Sequence, residues 1–274
     1  MLTTSPEMDL ETYLSHPAVN MSRLRDMQRS PAYCRHRMMH PDKPTPAMLL
    51  GTAVHMAILE PERFGKTYYV LPEDDNRTAA NRAALKAASE LGRPTIKPAD
   101  RAFCAAMSTA VDVHPAAWKL LYAQGHVEYT AFKEMNTLMC KCRVDKLTDS
   151  HIIELKTTAD PRPEAFSRQM YAMGYHMSAA WYTDIVGPGR TYTIIAVANT
   201  PPHEVYVYNV AEVAIDLGRA EYTELLNQYS KCLHADTWPG GDKDVQELNV
   251  PMWVYSRMAA EPLQLTMGGV PLEV

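Results

Sequence analysis

Asp145, Glu154 and Lys156 are the residues whose types and spacing invite chemistry. In "IIELKTT", residues 152–158, an acid and a base stand two positions apart in a stretch that otherwise reads as a buried strand. Residues i and i+2 of a strand project from one face, so Glu154 and Lys156 lie side by side. The run "CRVDKLTDSHIIELK" reads as a β-hairpin. With its turn centred between Asp149 and Ser150, Asp145 falls opposite Glu154, at the ~4.5–5.5 Å Cβ separation of cross-strand neighbours. Two carboxylates that close repel unless a cation or a proton sits between them. Oxygen-only ligation with room for water suits Mg²⁺ or Mn²⁺. Lys156 beside such an ion would orient a water or offset developing charge on a phosphate. The bland alternative is a surface hairpin in which Lys156 simply pairs with Glu154. Asp followed by Glu-x-Lys is too loose a pattern to separate the two.

The elements that must position these residues can be read from periodicity. "VNMSRLRDMQRSPAYC" predicts a short helix with Ser22 as N-cap and Pro31 as its stop. After the loop "PDKPTP", Thr45 and Pro46 suit N-cap and N1 of a helix, "AMLLGTAVHMAILE", that ends near Pro61. Its apolar residues surround it almost fully, which predicts burial. Residues 77–91 are Ala-rich and helical, and 99–122 read as one further helix. After Gly125 the texture alternates: "HVEYTAFKE", "LMCKCRVDKL" and "HIIELKT" read as strands. From Pro163 a helical pattern returns, with Gly174 as a possible break. "RTYTIIAVANTPPHEVYVYNV" is a strand, a turn and a strand. A last helix carries Tyr222, Leu225, Leu226, Tyr229 and Leu233 on one stripe, and the tail beyond "WVYSR" reads as loosely held. Helices, three strands, helix, two strands and helix describe an α/β or α+β domain, a mixed central sheet flanked by helices.

Composition narrows the classes. The chain has 274 residues, 46% of them hydrophobic, enough for a sizeable core in one large domain or two small ones. No run of eighteen or more apolar residues marks a membrane span. The start, "MLTTSPEMDLETYL", is acidic where a secretory signal is basic and then apolar, so an intracellular protein is expected. The five cysteines are irregularly spaced, and the C-x-C of Cys140 and Cys142 lacks the paired C-x-x-C of a zinc site; both are expected as buried free thiols on a strand's inner face. A net charge of −5 argues against a protein that coats nucleic acid, because neutralising phosphate needs Lys and Arg. A basic channel or an acidic metal site remains compatible with it.

"VDKL…IIELKTT" resembles the D…(D/E)xK core of the PD-(D/E)xK nuclease superfamily. Within it the sequence is most similar to the phage and prophage exodeoxyribonuclease VIII-like (RecE-like) exonucleases. "SPAYCRHR", "GTAVHMAILEPERF", "VEYTAF", "CKCRVDKL", "ELKTT", "YHMSAAWY" and "WPGG" occur in that family's order and cover most of the chain, and "GTAVHMAILEPERF" is the most specific of them. The resemblance implies a restriction-endonuclease-like core in a single nuclease domain over residues 1–256, followed by a tail at 257–274. Within that domain, 1–44 form an N-terminal helical and basic segment, 45–125 a helical part, and 126–256 the catalytic sheet with its flanking helices.

Residue by residue, the resemblance implies that His55 reaches the metal site from the early helix. Gly51, one turn before it, would let another backbone come close. Asp145 and Glu154 match the metal carboxylates, with the Leu155 carbonyl as a further ligand, and Lys156 matches the catalytic lysine. Glu128 matches an acidic position that helps hold metal or water, with a solvent-facing strand glutamate as the alternative. Thr157 and Tyr182 match substrate contacts, though Tyr182 serves equally as a core aromatic. The family often carries Q-x-x-x-Y on the helix after the lysine strand; here the glutamine position is Ser178, whose shorter side chain is expected to weaken a contact rather than delete the function. Relatives with an iron–sulfur cluster use one early cysteine and three late ones; here only Cys232 is late, so no cluster is expected.

The activity implied is Mg²⁺-dependent (or Mn²⁺-dependent) exonucleolytic hydrolysis of double-stranded DNA ends, 5′→3′, in phage-type recombination. A single-strand annealing (RecT-like) partner, the cytoplasm of a bacterial host, and a trimeric or tetrameric ring go with it. Arg23, Arg25, Arg29, Arg35, Arg37 and Lys43 are the candidates for the ring's basic lining. The alternatives are a Cas4-like or structure-specific endonuclease of the same fold, and an inactive DNA-binding protein.

Overall fold

The computed structural model describes residues 2–5, 8–75, 77–252, 255, 266–267 and 270–271. Contacts divide the chain into a unit of residues 1–239 and one of residues 240–274. The first unit opens with β1 (Leu2–Thr4) and α1 (Leu10–Ser15), followed by α2 (Met21–Arg29), α3 (Pro31–Met39), α4 (Pro46–Leu59) and α5 (Pro61–Thr67). Next come β2 (Tyr69–Val70), α6 (Ala79–Glu90), β3 (Thr95–Ile96), α7 (Pro98–Asp112) and α8 (Pro115–Leu121). Three long strands follow, β4 (Gly125–Met135), β5 (Leu138–Thr148) and β6 (His151–Thr158), then α9 (Pro163–Ala172), α10 (Tyr175–Val186), β7 (Thr191–Ala198), β8 (Val205–Asn209) and α11 (Glu212–Ala235). Of the second unit, β9 (Thr266–Met267) pairs antiparallel with β10 (Val270–Pro271). The expectation of a loosely held tail otherwise lies outside the described residues.

The main sheet has six strands in the order β1-β4-β5-β6-β7-β8, all antiparallel except the β6–β7 pair. This is the expected mixed sheet flanked by helices. Asn136 and Thr137 close the β4–β5 hairpin with φ of 48° and 61°, the left-handed pair that a two-residue turn needs to match strand twist. The β5–β6 turn is centred on Asp149 and Ser150, as read from sequence. The parallel step from β6 to β7 needs a crossover, and α9 and α10 supply it.

Each face of the sheet has its own core. Cys140, Cys142, Val144, Ile152 and Ile194 meet Leu24 and Met27 of α2, Met177 and Trp181 of α10, and Tyr222 and Leu226 of α11. On the other face Ile153, Leu155, Ile195 and Val197 meet Ala53, Val54 and Ile58 of α4 and Cys104, Met107 and Val111 of α7. Burying one such large side chain stabilises by roughly 1.5–3 kcal/mol. Gly218 lets α11 approach α10: a Cβ there would stand 2.3 Å from the His176 carbonyl oxygen.

Several local expectations change. Asn20, not Ser22, caps α2, accepting from the Arg23 N–H at 3.0 Å. Pro31 does end α2, because it forces Ser30 to be extended, but it also starts α3 at N1 with Ser30 as the cap. The stretch 99–122 splits at His114, which caps α8 ahead of Pro115. Helix α4 is capped by Thr45 as expected, yet Met48 and Leu49 in its first turn are exposed, so it is buried on one side only. Nothing lies within 4 Å of a Cβ built on Gly51, so no backbone approaches there. The short strand β1 on Ala131–Lys133, helix α1, and the parallel β2–β3 pair went unread in the sequence, being too short to show a period. All five cysteines are buried and unpaired, and burial raises Cys140 to about 12. Among the described residues no helix is long and apolar enough to cross a membrane.

Candidate functional site

The site grows from a fault in the sheet. On β4 and β5, Val127 faces Lys146 and Tyr129 faces Val144, which leaves Glu128 and Asp145 opposite each other and unpaired. The register is the same on both sides, so no residue is inserted. Glu128 instead takes a φ of 55°, rare for a residue with a side chain. The alternation of β5 breaks at the same level. Cys140, Cys142 and Val144 belong to one core layer, and so does Leu147, three residues on, where strict alternation would place it on the other face.

The neighbouring seam opens there too. β6 pairs with β5 only through Ile152–Leu147 and Ile153–Lys146. Beyond them the strands fork, and the Asp145 side chain fills the gap: its Oδ2 accepts the Leu155 N–H at 2.7 Å. In a strand the N–H and C=O of one residue point the same way, so the Leu155 carbonyl also opens into the fork. Asp145 and Glu154 are thus at the level the hairpin register predicts, but they meet across a fork rather than a ladder.

Both faces reach this opening. Glu154 and Lys156 project toward α10, with the Lys156 Nζ bonded to Glu154 Oε1 and 5.2 Å from the centre of the Tyr175 ring. From the α4 side, His55 Nδ1 comes to 3.6 Å from Asp145 Oδ2. Thr157 lies on that same α4 face, opposite Lys156, so the strand does not bring it to the cavity. The cavity itself measures about 260 Å³ and is walled by Glu128, Asp145, Glu154, Lys156, Ser178 and Tyr182, together with Tyr13, Arg25 and Arg143. Tyr182 does two things: it lines the cavity and packs against Tyr192 at 6.3 Å between ring centres. Glu128 is held by Arg143, whose Nε donates to it at 2.5 Å and whose Nη1 donates to Thr130 at 2.9 Å and the Met8 carbonyl at 2.7 Å.

Burial sets the electrostatics. It raises Asp145 to about 7, with Lys156 pulling the other way. It also raises Glu154, and Asp145 adds to the effect. Burial alone would lower Lys156, but Glu154 and Asp145 outweigh it and hold the ammonium above its usual value. His55 is pushed down to about 4, by burial first and by Lys156 second, so it faces Asp145 as a neutral ring at pH 7.

Whether an ion fits can be asked of the donors. Among the described residues no group of three or more His, Cys, Asp or Glu side chains is gathered closely enough to hold a metal. The donor chemistry nevertheless suits one. Glu154 Oε2 is buried and accepts nothing, a state that costs about 1–3 kcal/mol for a polar atom and more for a charged one. Asp145 and the Leu155 carbonyl add oxygens from the same fork, which is the oxygen-only set that hard divalent cations take.

Of the basic residues before α4, only Arg25 lines the cavity. Arg23 donates to Tyr229 and the Pro17 carbonyl, Arg29 lies over Tyr33, and Lys43 is exposed. Arg37 pairs with Asp42, and Arg35 lies 3.6 Å from Asp236. Sequence reading missed Tyr13, Arg143 and Tyr175 as parts of the site, and placed Arg25 only within the basic run. Arg143, two residues before Asp145 in "CRVD", carried the one available signal: an arginine inside a strand needs an acid.

Residues 20–246 match the family described as "PDDEXK-like domain of unknown function (DUF3799)". No curated protein matches the sequence. Among solved structures, a protein of Eubacterium rectale described as "Putative exonuclease" is similar over 93% of this chain and 98% of its own, with a TM-score of 0.57 and 13% identity. At that identity the likeness is one of fold. The structure named SSO0001 shares 14% identity over 79% of this chain and 82% of its own, with a TM-score of 0.33, which carries no argument. With the match spanning strands β4 to β8 and helices α2 to α11, the chain belongs to the PDDEXK-like family.

Proposed function

We propose that this protein is a divalent-metal-dependent nuclease that degrades double-stranded DNA from an end, with 5′→3′ polarity, and so prepares single strands for recombination. The observation that carries the nuclease reading is the meeting of Asp145, Glu154 and Lys156 at the sheet's fork, with a buried Glu154 oxygen left without a partner. Exonuclease action, polarity and the recombination role rest on the resemblance to RecE-like enzymes, and the description of the Eubacterium rectale structure points the same way.

Asp145, Glu154 and the Leu155 carbonyl would hold Mg²⁺ or Mn²⁺, with Glu128 and His55 as the outer members of the set. Such an ion lowers the pKa of an attacking water and offsets charge on the phosphate. Lys156 keeps its proton beside two carboxylates, so it acts as a hydrogen-bond donor and a fixed charge, placing the nucleophile or steadying the phosphate. His55, neutral at pH 7, offers a lone pair or a single N–H. Tyr182 and Ser178 wall the cavity where a strand would lie, and Thr157 would serve only a strand that crosses to the α4 face. An annealing protein as partner and a closed ring of three or four copies complete the proposal; a ring would concentrate the few free basic residues of an acidic chain around the duplex.

The test is end-labelled linear duplex and covalently closed circular duplex, each with Mg²⁺, Mn²⁺ or EDTA. Metal-dependent loss of 5′-end label with the circle intact is the expected result. Cutting of the circle would favour a structure-specific endonuclease, and no cleavage of either would favour a DNA-binding protein. Light scattering after size exclusion reads the ring directly: a monomer mass together with full activity on linear duplex would refute it.

A further inference from the structure

We infer that Arg25 is a substrate-binding residue of this site, its guanidinium taking a phosphate oxygen of the DNA strand in the cavity. This rests on the nuclease reading above and adds to it a residue that the metal-binding motif does not contain.

Each carboxylate of the cavity has a polar partner, whereas one of its cations has no carboxylate. Glu128 has Arg143, and Glu154 has Lys156. Asp145 takes the Leu155 N–H and faces His55. Arg25 lines the same cavity with no carboxylate in ion-pair range among the described residues. Its only acceptors are neutral and both belong to Nη2: Ser178 Oγ at 2.5 Å and the Gly174 carbonyl at 3.4 Å. Its Nε is buried without a partner. A guanidinium has five donors, and more than half of these are unused. Buried donors in folded proteins are nearly always satisfied, so an unsatisfied one at a site asks for a ligand.

What surrounds Arg25 calls for an anion. It sits at the start of α10, the end of a helix that carries partial positive charge. Lys156 stands over Tyr175, the first residue of that helix. A second cation here is unfavourable in the empty cavity and favourable once a phosphate enters it. A planar guanidinium also matches two phosphate oxygens at once, which an ammonium does not.

The sequence keeps room for this arrangement. Gly174 has φ 64°, and a Cβ on it would stand 3.4 Å from Arg25 Nε and 2.7 Å from Met177 Cε. Ser178 is buried and small, and its hydroxyl ends where the guanidinium begins. A longer side chain at 178 would have to displace the guanidinium of Arg25, which reaches across from α2 to within 2.5 Å of the Ser178 hydroxyl.

The experiment has two arms. In the first, Arg25→Gln, Arg25→Lys and Ser178→Ala are compared with the parent on linear duplex with Mg²⁺, with thermal unfolding as the check on fold. We expect Arg25→Gln to lower kcat/KM at least tenfold, with Arg25→Lys and Ser178→Ala between it and the parent. In the second, duplex binding is measured in EDTA against salt concentration. Arg25→Gln should flatten the slope of log K against log salt by about 0.9, the value of one phosphate contact; a purely structural arginine would not. If Arg25→Gln does not fold, Arg25→Lys and Ser178→Ala decide on kcat/KM alone, since both keep the positive charge. Parental kcat/KM in the folded variants, or an unchanged salt slope in Arg25→Gln, overturns the inference. A parent that binds DNA with the Arg25-dependent slope yet cleaves none would instead overturn the nuclease reading and leave this contact standing.

Discussion

The backbone N–H of Leu155 donates to Asp145 Oδ2 at 2.7 Å, across a gap where β5 and β6 no longer pair. One hydrogen bond thus replaces a ladder rung and ties an acidic side chain to the strand that carries Glu154 and Lys156. With the Lys156–Glu154 contact it joins the three residues of the proposed site into one hydrogen-bonded group.

Asp145→Asn and Glu154→Gln should each abolish cleavage and weaken metal binding. Lys156→Ala should abolish cleavage while metal binding persists, because an ammonium is no ligand. Combined changes should cost little more than single ones, since the groups act as one. Single-turnover cleavage and Mn²⁺ titration check this; near-parental cutting by a folded Lys156→Ala protein would remove the site assignment.

Removing Lys156 also leaves Glu154 buried without its partner, and breaking a buried pair from one side costs about 3 kcal/mol. Chemical unfolding of metal-free Lys156→Ala should show a loss of that order, smaller in the presence of Mg²⁺. A larger loss with Mg²⁺ than without would contradict it.

Asp145 holds its proton to about pH 7 in the folded chain, against an ordinary value of 3.8. Between those values the folded state binds more protons than the unfolded one. The contribution of Asp145 to the stability of the metal-free protein should therefore fall as pH rises through this window, opposed up to about pH 6.5 by His55, whose lowered value makes the folded state bind fewer protons there. A metal competes with the same proton, so metal affinity should rise over the same range. Thermal unfolding and Mn²⁺ binding at pH 5 to 8 test both, with the difference between the parent and Asp145→Asn isolating the Asp145 contribution; no difference in pH dependence between the two would contradict it.

Glu128 is expected to matter to the fold as well as to the metal. Arg143 is largely buried and has Glu128 as its only carboxylate among the described residues. Glu128→Ala should lower stability by about 3 kcal/mol and reduce metal affinity less than Asp145→Asn does. Unfolding and metal titration on the same two variants separate the roles; an affinity loss without a stability loss would reverse them.

Gly218→Ala should push α10 and α11 apart, because its Cβ would stand 2.3 Å from the His176 carbonyl oxygen. Overpacking of this kind costs about 1–3 kcal/mol. A drop in the thermal midpoint is expected, with reduced activity, since α10 carries Ser178 and Tyr182. An unchanged midpoint would show that the two helices adjust freely.

The sequence by itself determined the long strands, the β5–β6 turn, the helix after Thr45 and the pairing in level of Asp145 with Glu154. These follow from period-two and period-3.6 patterns and from turn and cap residues, all of them local rules. Local rules failed where a segment was short or its neighbours were distant. Nothing within Leu2–Thr4 announces a strand, because its partner, Ala131–Lys133, lies far along the chain. Apolar content could not tell that the first turn of α4 is exposed, because that depends on which helices cover it. The site divides in the same way. Glu154 and Lys156 were legible because a strand places i and i+2 together. The fork at Asp145 was not, because it arises where β5 breaks its alternation and loses a partner on each side. Arg25 was visible only as one of a basic run. Its place beside Ser178, 153 positions away, exists only because α2 and α10 pack on the same face of the sheet.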